Sequence, residues 1–176
     1  MRIKRFHWRK AGRYGISGLL LLIIIGIYAL IFVFSGQEGE VSGSISYEVS
    51  KQCVDLLDKI GWREWSAGLK EEMARNMEHP IRKLAHFGEY ALLSLAIFGL
   101  WKLWRPWNRR AFGGILCWIA LSAAADEIHQ YFVPERNCSI GDVCIDVCGG
   151  FFGICVGLLV FRLATCKKNK HRINRK

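Results

Sequence analysis

Charged residues are scarce along most of this chain. Only 23% of its 176 residues are Asp, Glu, Lys or Arg, whereas 52% are hydrophobic and seven are Trp. A soluble domain of this length is seldom so apolar. The low charge content therefore favours a protein that lies in a lipid bilayer.

Acidic residues are absent from three basic blocks at residues 2–13, 102–110 and 167–176, which hold most of the Lys and Arg residues. Each block lies beside an apolar run, as the cytoplasmic ends of membrane helices do. The formal net charge of +10 therefore indicates membrane lipids rather than nucleic acid as the partner. We expect both termini to be cytoplasmic.

The seven cysteines form no CxxC motif and no regular framework. Cys117, Cys144, Cys148 and Cys155 fall in apolar runs, where a thiol acts as a small hydrophobe. Whether Cys53 and Cys138 form a disulfide on an oxidising outer face is left open.

Four apolar runs predict an all-α, polytopic membrane protein in a single domain that covers residues 1–176. The first run, Ile16 to Phe34, has nineteen residues without a charge, or about 28 Å of helix. It exceeds the apolar part of a signal peptide, and no small-x-small cleavage site follows it. We place membrane helices at about residues 16–34, 84–104, 112–133 and 143–164, with a basic cytoplasmic tail at 165–176.

Residues 35–80 are richer in acids than in bases, which predicts an outer loop. Apolar residues recur at helical spacing from Ser44 to Ile60 and again from Trp65 to Met77. We expect two amphipathic helices that lie along the outer interface or cap the bundle, joined at Gly61–Trp62. A lid over a site is the functional alternative.

Polar side chains gather at the predicted outer ends of the last three membrane helices and in the turn between the last two. Ionisable groups in membrane segments are costly and usually pair, face a cavity or carry function. This set predicts a binding site: Arg82, His86, Tyr90, Asp126, Glu127, Gln130, Arg136, Asp142 and Asp146. Candidates for acid–base catalysis are His86, Glu89, Glu127 and Asp142.

Structural roles compete with function at some of these positions. Arg82 suits a helix end that snorkels into headgroups, and Asp142 with Asp146 suits the positive end of a helix dipole. His129 points away from the Glu127 and Gln130 face. We expect Glu127 to pair with Arg136, because a helix break between them lets the turn fold back.

Gly149, Gly153 and Gly157 form a stripe of small residues on the last helix. Such a stripe lets another helix approach closely. We expect packing within the bundle rather than dimerisation, and the oligomeric state is left open.

The predicted site has more acids than bases: five carboxylates at Glu89, Asp126, Glu127, Asp142 and Asp146 face three cations at Arg82, Lys83 and Arg136. Shared protons, protonated histidines or a bound cation would relieve the excess. We favour proton sharing, because no HExxH or comparable spacing indicates a metal. We therefore expect no metal and no cofactor.

Four sequence pieces together resemble the VanZ-like family of small bacterial membrane proteins. They are Phe34-Ser35-x-Gln37, then Arg82-Lys83-Leu84-Ala85-His86-Phe87-x-x-Tyr90, then Asp126-Glu127-x-His129-Gln130-x-Phe132-Val133-Pro134-x-Arg136, and Asp142 followed by Gly149 and Gly153. The resemblance implies a four-helix protein of the bacterial cytoplasmic membrane. The family's founding member is associated with low-level resistance to the glycopeptide teicoplanin.

The chain departs from the family pattern at two positions. Glu135 stands where members commonly have a small residue, and Asp146 stands where they often have Asn. The second departure adds a charge to the predicted site.

Two functions of different classes fit these residues. The first is a cell-envelope protein whose outer pocket binds a lipid headgroup, a cell-wall precursor or a lipoglycopeptide. The second is a membrane enzyme that acts on a lipid-linked substrate, with His86 and Glu89, or Glu127 and Asp142, as acid and base. Because no nucleophile motif is present, we favour binding.

Overall fold

The computed structural model describes the backbone of residues 2–61 and 64–173, and the side chains of residues 12–61 and 64–166. Within these ranges the chain forms five α-helices and no strand. They are α1 (Arg2–Ser35), α2 (Gly39–Ile60), α3 (Ala67–Trp104), α4 (Arg109–Tyr131) and α5 (Ile140–Ile173). The all-α prediction is confirmed. Trp62, half of the predicted joint, lies outside the described residues.

Four of these helices are long and apolar enough to cross a membrane: Gly12–Ser35, Ala67–Trp104, Arg109–Tyr131 and Ile140–Cys166. Large apolar side chains point outward from them, among them Leu22, Ile25 and Leu92. Outward apolar residues suit contact with lipid chains. The polytopic prediction is therefore confirmed.

Local capping sets where two of the helices begin. Ser66 accepts the backbone N–H of Leu69 at 3.3 Å, and Asn108 accepts that of Ala111 at 2.8 Å. Each side chain satisfies a donor that the first helical turn leaves free. These caps separate α3 from α2 and α4 from α3.

The second amphipathic stretch and the second membrane helix are one continuous helix, α3, of 38 residues. We expected the outer loop to reach residue 80 and a separate helix to begin near residue 84. Pro80 lies inside α3 and lacks the N–H that would bond four residues back. A contact between Arg82 and Glu78 at 2.8 Å spans the proline and helps the helix continue.

The face of α2 that packs on α3 is small and polar rather than apolar. Ser42, Ser46, Ser50 and Val54 are buried, whereas Ile45 and its apolar neighbours are exposed. The hydroxyls of Ser46 and Ser50 donate to carbonyls one turn back in the same helix, so their burial leaves no donor unpaired. The apolar face of α2 is therefore exposed on the side that faces away from α3.

The glycine stripe of α5 packs against α3. A Cβ on Gly149 would overlap the carbonyl oxygen of Phe87, and one on Gly153 would overlap that of Ala91. Only glycine permits this approach of the two backbones. The expectation of packing within the bundle is confirmed.

Tyr90, Leu93, Ile119 and Ile154 form the centre of the core and are almost completely buried. They come from α3, α4 and α5. The last turns of α1 and α4 and the first turn of α5 meet at one end of this core, which we call the polar end.

Candidate functional site

A cavity of about 360 Å³ opens at the polar end between α3, α4, α5 and the turn that joins α4 to α5. Most of the polar residues that the sequence predicted for a site line it: Arg82, His86, Glu127, Gln130, Arg136, Asp142 and Asp146. We call this cavity the polar pocket. Asp126 and Tyr90 line a different cavity, described below.

Three polar residues of α4 are turned toward the interior. Asp126, Glu127 and Gln130 are 8%, 3% and 7% exposed, although Ile128 between them is exposed. Positions i and i+4 lie one above the other on a helix, and i+1 lies next to them. The last turn of α4 therefore presents its polar face to α3 and α5 and its apolar face outward.

Arg136 holds this polar face against the end of α1. Its guanidinium donates to the Gln130 side-chain oxygen at 3.0 Å and to the Phe34 carbonyl at 3.0 Å. The Gln130 amide nitrogen in turn donates to Asp126 at 2.9 Å and lies 3.4 Å from the Ser35 hydroxyl. Burial lowers the pKa of Arg136 from its usual range. These acceptors compensate for the water that its charge has lost.

The expected pairing of Glu127 with Arg136 is wrong. Glu127 accepts the backbone N–H of Ser139 at 2.7 Å, and neither side chain of the expected pair lies within 4 Å of the other's charge in the described structure. The turn does fold back, but its contact with Glu127 is made by the Ser139 backbone N–H. The Arg136 side chain contacts Gln130 instead. His129 faces away from the pocket, as predicted, and stacks on Phe32 at 4.8 Å between ring centroids.

Two of the three cations near the pocket are already paired. The Lys83 ammonium lies 2.6 Å from Asp142, and Arg82 contacts Glu78. Within the described part of the chain, no Lys or Arg nitrogen lies within 4 Å of four carboxylates, those of Glu89, Asp126, Glu127 and Asp146. The acidic excess is thus concentrated on these four side chains.

The cluster formed by His86, Asp126 and Asp146 lies beside the pocket. One ligand atom of each lies within 4.8 Å of the others. Asp146 is 2% exposed, and its Oδ1 atom has no hydrogen-bond partner among the described residues. The Tyr90 hydroxyl, also fully buried, has none there either. We call His86, Asp126 and Asp146 the carboxylate–histidine cluster.

An apolar groove of about 680 Å³ lies between α1 and α4. Ile25, Ala29 and Phe32 line one side, and Trp118 and Ala125 line the other. Tyr28 joins the two sides, because its hydroxyl contacts Ser122 at 2.8 Å and accepts the Trp118 indole N–H at 2.7 Å. Asp126 and Tyr90 also line the groove. The Asp126–Gln130 hydrogen bond therefore links a groove residue to a pocket residue.

Sequence reasoning missed several residues that line the pocket or that contact its lining residues. Glu78 stands four residues before Arg82, a spacing that favours an ion pair and that would have revealed it. The Ser139 N–H and the Phe34 carbonyl are backbone groups, which no side-chain pattern marks. Asn137 and His79 also line the pocket, and nothing in their sequence context singles them out.

The family model described as VanZ/LLP1 matches residues 20–162, which include every residue of the polar pocket. No curated protein and no solved structure gives a significant match.

Proposed function

Because this chain belongs to the VanZ/LLP1 family and has four helices able to span a membrane, we propose that it binds an envelope amphiphile. The headgroup would lie in the polar pocket and the acyl chain in the apolar groove. We place the pocket on the outer face of the bacterial cytoplasmic membrane, with both termini in the cytoplasm.

The observation that carries this proposal is that a polar cavity and an apolar groove lie on either side of the Asp126–Gln130 pair. An amphiphile needs both environments. A groove open to lipid admits a chain laterally, whereas the pocket supplies groups of both charges to the part that water would otherwise solvate.

The charges of the pocket favour a zwitterionic or amide-rich headgroup. Arg136 and Lys83 present cationic donors, whereas Glu127 and Asp142 present acceptors. A purely anionic headgroup would meet the acidic excess, and a purely cationic one would meet the positive charges of Arg82, Lys83 and Arg136, which also line the pocket. Phosphoethanolamine lipids, lipid-linked cell-wall precursors and lipoglycopeptides such as teicoplanin share the required mixed chemistry.

The direct test is to compare the lipids and precursors that copurify with the full-length protein in nanodiscs. Gln130→Leu removes both an acceptor for Arg136 and a donor to Asp126, so we expect the retained amphiphile to fall about tenfold or more. Gln52→Leu is the matched control, since Gln52 is exposed on α2. Equal retention by both variants would contradict binding at this pocket.

A second candidate function is a membrane enzyme, and the carboxylate–histidine cluster favours it. A half-buried imidazole beside two buried carboxylates is a set that can transfer protons. Envelope lipid and precursor profiles of cells with and without the protein separate the two candidates. A covalent change that requires Glu127 supports catalysis, whereas an altered distribution of unmodified molecules supports binding.

Resistance is a further consequence that we propose for the binding function. A protein that engages lipoglycopeptides or their membrane targets at the outer face should raise the inhibitory concentration of teicoplanin. Expression of the wild type and of Gln130→Leu in a susceptible host measures this. We expect the increase only with the wild type.

A further inference from the structure

The carboxylate–histidine cluster draws one side chain from each of three helices. His86 comes from α3, Asp126 from α4 and Asp146 from α5, and one ligand atom of each lies within 4.8 Å of the others. That spacing is about twice a metal–ligand bond of 2.0–2.4 Å. A single ion between the three atoms would therefore reach all of them with small side-chain movements.

The charges of the cluster call for a cation. In the part of the chain that the structure describes, no Lys or Arg nitrogen lies within 4 Å of Asp126 or Asp146. Asp146, a member of the cluster, is 98% buried, and its Oδ1 atom has no hydrogen-bond donor among the described residues. A buried acceptor without a partner is costly, and more so when it is charged.

The residues around the cluster resemble the outer ligand shell of a metal site. Gln130 donates to Asp126 at 2.9 Å and is itself fixed by Arg136. Ligating carboxylates in metalloproteins usually have such hydrogen-bond partners, which fix their orientation. Glu89 Oε2 lies 3.6 Å from Nδ1 of His86, close to it but beyond hydrogen-bond distance.

We propose that His86, Asp126 and Asp146 bind one divalent transition-metal ion of the zinc class. Imidazole together with carboxylate oxygens selects Zn²⁺ or Mn²⁺, whereas Ca²⁺ and Mg²⁺ prefer oxygen alone. A proton shared between the two aspartates would satisfy one oxygen but would give His86 no role. This proposal replaces the expectation of proton sharing alone and does not depend on the proposed function.

The ion would keep one position open toward the polar pocket. His86 and Asp146 both line the pocket as well as the cluster. Three protein ligands and a free position are typical of zinc sites that bind an exchangeable ligand. A phosphate or carboxylate oxygen of a bound headgroup is the ligand class that would occupy it.

The test begins with full-length, tag-free protein purified without chelator, stripped with EDTA and then titrated with ZnCl₂ or MnCl₂. We expect one bound ion per chain by elemental analysis, and a rise in Tm on metal addition. Asp146→Asn should weaken Zn²⁺ binding about tenfold or more. Asp55→Asn is the matched control, because Asp55 lies on α2 beside Lys70 and outside the cluster.

A second pair of variants tests the nitrogen ligand. His86→Gln should lose Zn²⁺ affinity to a similar degree, whereas His129→Gln should not, since His129 stacks on Phe32 outside the cluster. Electron spin-echo envelope modulation spectra of Mn²⁺ bound to the wild type should show coupling to an imidazole nitrogen. This last measurement needs no variant and so does not depend on whether a variant folds.

The proposal is overturned by wild-type protein that binds no ion at millimolar ZnCl₂ and MnCl₂. It is also overturned by equal Zn²⁺ affinity of Asp146→Asn and Asp55→Asn, or by Mn²⁺ bound without nitrogen coupling. Amphiphile retention measured on EDTA-stripped protein separates this result from that of the proposed function, because binding in the groove needs no metal.

Discussion

Arg136 donates a hydrogen bond to the side-chain oxygen of Gln130 at 3.0 Å, and this contact fastens the turn after α4 to the buried end of that helix. The same guanidinium reaches the last turn of α1 through the Phe34 carbonyl. One side chain therefore joins the turn, α4 and α1.

We expect Gln130 and Arg136 to be energetically coupled. Single Gln130→Ala and Arg136→Ala variants each leave the other side chain buried with a lost partner, so their effects should not add. A double-mutant cycle on Tm or unfolding free energy should give a coupling of about 0.5–3 kcal/mol. The Glu127→Gln and Arg136→Ala pair is the control, and its coupling should be smaller. A larger coupling for Glu127 with Arg136 than for Gln130 with Arg136 would support the ion pair that the sequence suggested.

The glycine stripe gives a prediction about packing. Gly149→Ala places a methyl group against the Phe87 carbonyl, where α3 and α5 must move apart. Such overpacking costs about 1–3 kcal/mol, which should appear as a lower Tm in detergent. Gly114→Ala is the control, because a Cβ there meets nothing within 4 Å. Equal Tm values for the two variants would contradict the close approach.

Asp58, outside the membrane helices, gives a prediction about pH. Its carboxylate accepts from the Lys70 ammonium and, at 2.9 Å, from the Trp65 backbone N–H, and these contacts lower its pKa. A carboxylate whose pKa is lower in the folded than in the unfolded state stabilises the protein at pH values above its unfolded-state pKa of about 3.9. This stabilisation is lost as the pH falls through the folded-state pKa.

Asp58→Asn should therefore have a lower Tm than the wild type at pH 6–8, and the difference should close below about pH 4. Glu48→Gln serves as the control, since Glu48 is an exposed acid on the same helix. A difference that does not change with pH would show that the Asp58 carboxylate contributes nothing through its charge.

Glu135 caps α2 from the other side of the pocket. Its carboxylate accepts the Glu40 backbone N–H at 3.1 Å, whereas the adjacent Glu38 makes no side-chain cap. Glu135→Gln weakens this contact and Glu135→Ala removes it, at a cost of about 0.5–2 kcal/mol. Hydrogen exchange should quicken at the start of α2 in Glu135→Ala but not in Glu38→Ala.

Glu135 also has a φ of 60°, in the left-handed region that favours glycine. Glycine fits that backbone better, because it has no Cβ. Glu135→Gly should relieve strain while losing the cap, so its stability should lie above that of Glu135→Ala. A lower stability for the glycine variant would contradict the strained backbone.

Membrane topology is tested by cysteine labelling. All seven cysteines are thiols in the described structure, and Cys138 and Cys166 are exposed near opposite ends of the bundle. In intact cells an impermeant maleimide should label Cys138 and spare Cys166, whereas permeabilised cells should label both. Labelling of Cys166 alone would show that the protein has the opposite orientation in the membrane.

The sequence was sufficient to predict the four membrane helices and many of the polar residues that line the pocket, because long apolar runs and ionisable interruptions are local signals. It was also sufficient for the packing of Gly149 and Gly153, since small residues at helical spacing allow close approach between helices. Both kinds of feature depend on the residues of one helix.

The pairing of side chains could not be predicted in the same way. Glu127 and Arg136 looked like partners because their charges are opposite and a turn separates them. In the structure, Glu127 accepts from the Ser139 N–H and Arg136 donates to the Phe34 carbonyl. Both partners are backbone groups, which no side-chain pattern marks. The carboxylate–histidine cluster joins three helices, so no spacing within one segment reveals it.

Helix α3 is about 57 Å long at 1.5 Å per residue, nearly twice the roughly 30 Å hydrocarbon thickness of a bilayer. A large part of it, with α2 packed beside it, must therefore stand outside the lipid. For a chain of 20.1 kDa otherwise hidden in a micelle, this hairpin is a directional landmark for aligning particle images. An antibody fragment bound to this hairpin would enlarge that landmark without covering the pocket. Its position relative to His86 would be fixed, because α3 continues without a break from the hairpin to His86.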